Sequence, residues 1–286
     1  MANILVTGAN GQLGSELRKI GFTALDEIFY TDVVELDITD SEAVEKFVLT
    51  NDIDTIVNCA AYTAVDRAED EPELARAVNT RAAEVLAQVA YNNDCLLIHV
   101  STDYVFDGTA TEPYNEKSAT NPQSVYGATK LAGEQAIRKS GCMYIVIRTA
   151  WLYSSFGNNF VKTIRRIARE KGILNVVDDQ TGTPTYAADL AQFIVDIIHN
   201  SEILDHEGIY HYSNEGVCTW FDFAKEIVNL SGIECVVNPV STTEYPTKAK
   251  RPKYSVLDKS KVKKIFGTQI EVWQDALRRC IKELDK

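Results

Sequence analysis

The sequence predicts an α/β fold: a Rossmann-like doubly wound parallel sheet followed by a smaller C-terminal substrate-binding domain. Three observations predict it. Short β-branched or aromatic runs alternate with longer helical patterns, the rhythm of βαβ units. Runs such as Leu96-Leu-Ile-His-Val100 lack polar alternation, as expected where helices cover both faces of a parallel sheet. A glycine-rich segment, Gly8 to Gly14, separates the first such run from the first helical pattern.

In chain order the strands are expected at 4–7, 28–31, 55–59, 96–101, 144–148 and 174–177. Helices are expected at 11–20, 41–49, 73–91, 125–139, 160–171 and 187–199, each following a strand or a turn. After residue 200 the alternation breaks into shorter pieces: a strand at 208–212, helices at 220–230 and 273–284, and a turn-rich loop at 239–252 carrying Pro246 and a Lys/Arg cluster. Residues 1–150 are therefore expected to form a dinucleotide-binding domain, with segments of 151–200 returning to it. Residues 201–286 should belong mainly to the smaller domain.

The 286 residues, 45% hydrophobic and 24% charged, suffice for one large core or two unequal ones and exclude a disordered, collagen-like or disulfide-scaffold chain. The net charge of −12 disfavours a surface that tracks nucleic acid or anionic lipid. Six scattered cysteines form no CxxC pair and no Cys/His cluster, which fits a reducing cytoplasm. The chain enters an apolar strand at once, without the features of a signal peptide, and no apolar stretch approaches a membrane span.

In Thr7-Gly-Ala-Asn-Gly-Gln-Leu-Gly14, Gly8, Gly11 and Gly14 allow a tight turn and remove the Cβ atoms that would keep a diphosphate from the helix N-terminus. Asp32, at the end of the second strand and 18 residues past Gly14, is placed to accept hydrogen bonds from an adenosine ribose. It would repel a 2′-phosphate, which favours NADH, although a cation from elsewhere in the fold could accommodate NADPH. Asp37-Ile38 and Ala60-Ala-Tyr-Thr63 follow at strand ends where adenine and nicotinamide ribose would lie; Asp37 is as plausibly a turn residue.

Ser101-Thr102-Asp103-Tyr104 ends a buried strand, and Tyr126-Gly-Ala-Thr-Lys130 begins a helix. Tyrosine and lysine at i and i+4 share a helix face, and a neighbouring ammonium lowers a phenol's pKa from about 10. Tyr126 could then pass a proton to a carbonyl oxygen as hydride arrives on its carbon, with Thr102 offering a hydroxyl to the same oxygen.

Together, the glycine loop, the strand end Ser-Thr-Asp-Tyr-Val-Phe-Asp-Gly108 and Tyr126-x-x-x-Lys130 resemble the extended short-chain dehydrogenase/reductases. The likeness to the branch acting on dTDP-linked keto-deoxysugars runs on through residues 57–66, Arg148-Thr-Ala-Trp-Leu-Tyr153, 157–160, Asp179-Gln-Thr-Gly-Thr-Pro-Thr185 and 245–252. The resemblance implies NAD(P)H-dependent reduction of dTDP-4-dehydro-L-rhamnose to dTDP-L-rhamnose. Tyr126 would be the proton donor, Thr102 would polarise the carbonyl, and Lys130 would bind the ribose and tune the tyrosine. It implies cofactor contacts at Gly11, Gln12, Leu13, Asp32, Asp37, Ile38, Ala61, Tyr62, Thr63, Tyr126 and Lys130, and sugar contacts at Thr102, Asp103 and Trp151. The related 4,6-dehydratases carry Glu after Thr-Asp, whereas here Tyr104 stands there; without that carboxylate, simple reduction is favoured.

Trp151 offers an aromatic face to a sugar ring or an anchor between domains. The run Lys248-Ala-Lys-Arg-Pro-Lys253 is either a solvated loop or the source of a cation, Arg251, for the substrate diphosphate. The resemblance also implies a homodimer with magnesium at the contact and Glu16 as an acidic ligand. One carboxylate does not define a site, and Glu16 reads more simply as an exposed helix residue, so no metal ligand is assigned. Two alternatives stay open: a non-catalytic dinucleotide-binding subunit like the regulatory subunit of methionine adenosyltransferase, and a reductase or epimerase for another nucleotide sugar.

Overall fold

A computed structural model describes residues 2–200 and 203–286. Five strands, β1 (Asn3–Thr7), β2 (Glu27–Thr31), β3 (Thr55–Asn58), β4 (Leu96–Thr102) and β5 (Tyr144–Thr149), join Gly208–His211 in a six-stranded, wholly parallel sheet. From one edge the order is Gly208–His211, β5, β4, β3, β1, β2. The chain steps outward from β1 to β2 and then reverses to place β3 on the other side of β1. The connections leaving β1 and β3 therefore diverge to opposite faces and open a crevice beyond their carboxyl ends.

Side chains alternate across this sheet with period two. Ile4, Val6, Val57, Ile98 and Ile147 face one core with α1 (Gln12–Ile20) and the Ala187–Ile198 helix; Leu5, Ile56, Leu97 and Val146 face a second with α2 (Ser41–Thr50), Ala82–Asn92 and Val125–Ser140. Both faces are covered, so the strands need no polar alternation. A third core, centred on Phe223, Trp273, Leu277 and Cys280, holds the Phe160–Lys171, Trp220–Leu230 and Trp273–Leu284 helices together.

The segment expected as a smaller domain from residue 201 onward is divided. Residues 201–202 lie outside the described residues. Gly208–His211 pairs with β5, and Tyr210, Tyr212 and Val262 enter the first core, so this stretch completes the large sheet. Conversely, residues 174–177, expected as a further sheet strand, lie in the strand Ile173–Val177, which among the described residues pairs only with Val236–Val240. Its Ile173 and Asn175 are exposed while Leu174 and Val176 are buried, the alternation of a ribbon covered on one side. The Val236–Val240 strand falls partly in the expected loop; Pro239 disguises it, and Pro is tolerated at a sheet edge.

The Ala82–Asn92 and Val125–Ser140 helices pack closely where hydrogen bonding widens into a π-turn at Ala77–Arg81. A Cβ on Gly133 would run into the Asn79 carbonyl oxygen. Gly133→Ala should therefore destabilise the fold by about 1 to 3 kcal/mol, the usual range for overpacking. Urea unfolding checks this, and an unchanged midpoint would show that the two helices can part without cost.

Candidate active site

The first βα turn is shaped by close backbone approach. Gly8 has φ +64°, and a Cβ there would sit 2.6 Å from the Ala60 backbone; a Cβ on Gly14 would lie 2.6 Å from the Gly8 carbonyl oxygen. Only glycine fits at both places. At α2, Asp40 accepts hydrogen bonds from Glu42 N and Ala43 N. By contrast, Gly11 opens α1 without a side-chain cap, and the first turn carries no acidic residue, which leaves N–H groups aimed at the crevice for an anion.

A cleft of about 260 Å³ lies beside this turn, lined by Gly8, Gly11, Asp32, Asp37, Ile38 and Ala61 among others. These residues fit a dinucleotide. The Asp32 carboxylate accepts from Asn10 N (3.1 Å) and Val33 N (2.8 Å), so it ties the glycine turn to the end of β2 and lines the cleft as well. Asp37 likewise serves as a turn residue, accepting from Thr39 N and Oγ1. The Leu13 side chain is buried in the first core, which leaves only its backbone to meet a ligand. Gln12 Oε1 accepts from Asn159 Nδ2 at 3.0 Å, joining the glycine turn to the start of the Phe160–Lys171 helix. The Tyr62 phenol is taken by Glu71, while its backbone is clamped by Asn79, whose Oδ1 accepts from Tyr62 N and whose Nδ2 donates to Tyr62 O. Thr63 is exposed.

Farther along the crevice, Thr102, Asp103, Tyr126 and Lys130 gather at the end of β4 and the start of the Val125–Ser140 helix. Ser124 caps that helix by accepting from Gly127 N. Glu134 anchors it from within, accepting from Ser101 Oγ at 2.5 Å and from the buried Arg148 guanidinium through two nitrogens. Lys130 is 1% exposed; its Nζ donates to Val100 O at 2.7 Å and lies 3.1 Å from His99 Nε2. On the other side of His99, Nδ1 lies 2.9 Å from Asn58 Nδ2, and Asn58 Oδ1 accepts from Thr7 Oγ1 and Ala60 N.

The expected lowering of the Tyr126 pKa by Lys130 is not what this site shows. Burial pushes the phenol up, only partly offset by the Thr102 hydroxyl, and burial also brings Lys130 down to about 8. The desolvation of both groups outweighs their proximity on one helix face. Tyr126 thus rests as a phenol, with a proton to donate. The Tyr104 ring meets it edge-on at 5.5 Å between centroids.

A family model described as the RmlD substrate binding domain matches residues 1–286. The chain belongs to that family. A dTDP-4-dehydrorhamnose reductase of Aggregatibacter actinomycetemcomitans is 41% identical, covering 97% of this chain and 98% of its own. The crystal structure of a dTDP-4-dehydrorhamnose reductase from Clostridium acetobutylicum superposes with a TM-score of 0.95 at 43% identity, over 99% of this chain and all of that one. One from Bacillus anthracis, solved in complex with NADP, gives 0.95 at 40% identity with the same coverage.

In this RmlD family member the basic run is not a freely solvated loop. Arg251 pairs with Asp66 and donates to the Tyr104 hydroxyl at 3.3 Å, Lys248 pairs with Asp70, and Lys250 donates to Gln123. These residues strap the loop along a groove of about 790 Å³ that also includes Gly108, Thr109 and Tyr254. Trp151, with φ +50°, stacks on Trp220 at 3.6 Å and packs against both Gly182 and the third core, so it does anchor neighbouring segments.

Glu16 is buried rather than exposed. Its Oε1 accepts from Ser154 Oγ at 2.6 Å, and burial raises its pKa. The surrounding groove does not fit a magnesium ion. Lys19, Arg279, Lys282 and Lys286 share it, Asp189 is paired with Arg279, and Glu283 with Lys19. Among the described residues no group of three or more His, Cys, Asp or Glu is gathered to hold a metal.

Sequence reading missed His99, Asn58, Asn79 and the Asp66 to Arg251 pair. His99 and Asn58 had a visible signal, as polar residues inside apolar strand runs. Asn79 and Asp66 carried none, because their partners are distant in the chain.

Asp103 is 3% exposed, and its Oδ1 accepts from Thr102 Oγ1 at 3.0 Å. Burial raises its pKa from 3.8 to about 6. The native state therefore holds a proton that the unfolded chain has released between pH 4 and 6, and Asp103 costs stability that grows as pH rises through that window. Asp103→Asn should match the parent near pH 4 and exceed it above pH 6, by on the order of 3 kcal/mol. Urea midpoints across this range check it; parallel curves would mean that Asp103 ionises freely.

Proposed function

We propose that this protein reduces the 4-keto group of dTDP-4-dehydro-L-rhamnose to the hydroxyl of dTDP-L-rhamnose, using NADH or NADPH. The observation that carries the reading is the meeting of Thr102, a protonated Tyr126 and Lys130 beside a glycine-turn cleft suited to a dinucleotide. Relatives named for this reaction match nearly the whole chain, and one was solved with NADP.

The bound nicotinamide supplies a hydride. Tyr126 donates its phenolic proton to the sugar O4 as C4 is reduced, so the C=O bond becomes CH–OH and a phenolate remains. Thr102 offers its hydroxyl to the same oxygen. Lys130 holds the nicotinamide ribose. Gly8, Gly11, Gly14 and the backbone of Gln12 and Leu13 receive the cofactor diphosphate, while Asp32 faces the adenosine ribose, with Asp37, Ile38, Ala61, Tyr62 and Thr63 lining the remaining length.

The sugar nucleotide needs its own cation in a chain of net charge −12, and Arg251 in the basic groove suits its diphosphate by the fork geometry of guanidinium. Asp103 and Trp151 contact the sugar. A regulatory subunit would not need this donor set, and a dehydratase would need a base where Tyr104 stands. The six cysteines are all free, which suits a cytoplasmic protein, and no helix among the described residues is long and apolar enough to cross a membrane.

Supplying dTDP-4-dehydrorhamnose with either cofactor should yield dTDP-L-rhamnose by NMR. Tyr126→Phe should keep cofactor binding while turnover falls by roughly two to four orders of magnitude, as for loss of a positioned proton donor. No turnover by the parent, or near-parental turnover by a folded Tyr126→Phe protein, would overturn the reading.

A further inference from the structure

Two hydroxyls of the proposed site must meet on one oxygen, yet they belong to different elements. Thr102 is the last residue of β4, whereas Tyr126 stands in the first turn of the Val125–Ser140 helix, beyond a largely irregular segment, 103–124. That segment does not fix their separation; direct bonds from β4 to the helix do. Tyr126, Lys130 and Glu134 recur every four residues and share one helix face, which meets β4 where Lys130 Nζ donates to Val100 O and Ser101 Oγ donates to Glu134.

Three elements join at Glu134. Arg148 on β5 lies opposite Ser101 on β4 in the sheet register, and both reach the Glu134 carboxylate. Its Oε1 accepts from Ser101 Oγ at 2.5 Å and from Arg148 Nε at 3.0 Å, while its Oε2 accepts from Arg148 Nη2 at 2.7 Å. All three residues are buried. The Arg148 guanidinium also lies 5.1 Å from the centre of the Phe106 ring, just past the turn Asp103–Val105 that follows Thr102. For stability alone the junction is a poor choice: desolvating both ions offsets their attraction, and apolar side chains of similar volume would hold the layers together as well. What it adds is direction, because a forked guanidinium–carboxylate pair fixes position where apolar packing tolerates sliding. A Cβ on Gly127 would lie 2.2 Å from the Tyr104 carbonyl oxygen, so backbone contact limits how near the helix start can come. It does not keep the helix from withdrawing.

We propose that Glu134 is a positioning residue which, clasped by Ser101 and Arg148, holds the Val125–Ser140 helix against the end of β4 so that Tyr126 and Thr102 converge on the substrate carbonyl oxygen.

The inference rests on the proposed reduction for the identity of that oxygen, but the convergence belongs to the protein and is measured without substrate. Glu134→Gln would leave a buried guanidinium without its carboxylate and so threatens the fold. Ser101→Ala is gentler, since it removes the bond to β4 and leaves the Glu134 to Arg148 pair in place; urea unfolding checks that it stays folded. In crystal structures of the parent and of Ser101→Ala, the separation of Tyr126 Oη from Thr102 Oγ1 should widen in the variant by about 0.5 Å or more, the tolerance of a preorganised site. An unchanged separation would overturn the proposal.

With dTDP-4-dehydrorhamnose as substrate, kcat of Ser101→Ala should fall roughly tenfold while the NADH Kd and the sugar KM stay within about twofold, the pattern for an interaction that serves the transition state. General loosening of the fold would weaken both binding constants instead. A Tyr126→Phe background separates aiming from structure: with no phenol to aim, Ser101→Ala should lower the residual rate by less than about twofold. A repeated tenfold loss there, or an unaltered kcat in the single variant, would overturn the proposal. Failure of the parent to reduce the sugar, with the separation widened in the variant, would instead sink the proposed substrate and leave the clasp standing.

Discussion

One buried row of polar contacts, Thr7 to Asn58 to His99 to Lys130, crosses the carboxyl ends of β1, β3 and β4 and ends on the Val125–Ser140 helix. A lysine 1% exposed has no water to solvate it, so its nitrogen must find partners in the protein. His99 and the Val100 carbonyl are those partners. Because Thr7, Asn58 and His99 sit on three different strands, the sheet register sets where Lys130 lies relative to the glycine turn. Removing any member would leave a buried donor or acceptor unpaired, at a cost of about 1 to 3 kcal/mol.

The rest of the crevice is arranged around this row. Asn58 also holds Ala60, whose backbone lies against Gly8, so the residue that orients His99 helps shape the anion-binding turn. A second polar set, Ser101, Glu134 and Arg148, pins the same helix one turn farther on. Asp66 and Arg251 draw the late basic loop across the mouth, which places a cation beside Tyr104 and close to Tyr126. The acidic protein thus concentrates positive charge locally, where anionic ligands would enter.

Much of this was legible in the sequence, for reasons that can be stated. The glycine turn, Asp32, and the Tyr126 and Lys130 spacing are local patterns, and the strands β1 to β5 announce themselves as apolar runs because both sheet faces are covered. The placement of Gly208–His211 was not legible. Its neighbour β5 lies some sixty residues earlier, and no local feature distinguishes an edge strand of the large sheet from a ribbon of the smaller region. The charge states were hidden as well. Spacing put a tyrosine and a lysine on one face and suggested a lowered phenol; it could not show that both are desolvated, nor that His99 stands behind the lysine. Glu16 failed in the same way, since its helix pattern gave no sign that Ser154 and the Trp273–Leu284 region cover it.

The central claim is that the site delivers one proton to oxygen and, with Tyr104 in place of the carboxylate a dehydratase needs, removes none from carbon. Running the reaction in D2O with unlabelled NADH or NADPH tests it most directly. The account predicts a product with protium at C4 and no carbon-bound deuterium beyond that of an enzyme-free control. Deuterium incorporated by the enzyme at the carbons flanking C4 would contradict it.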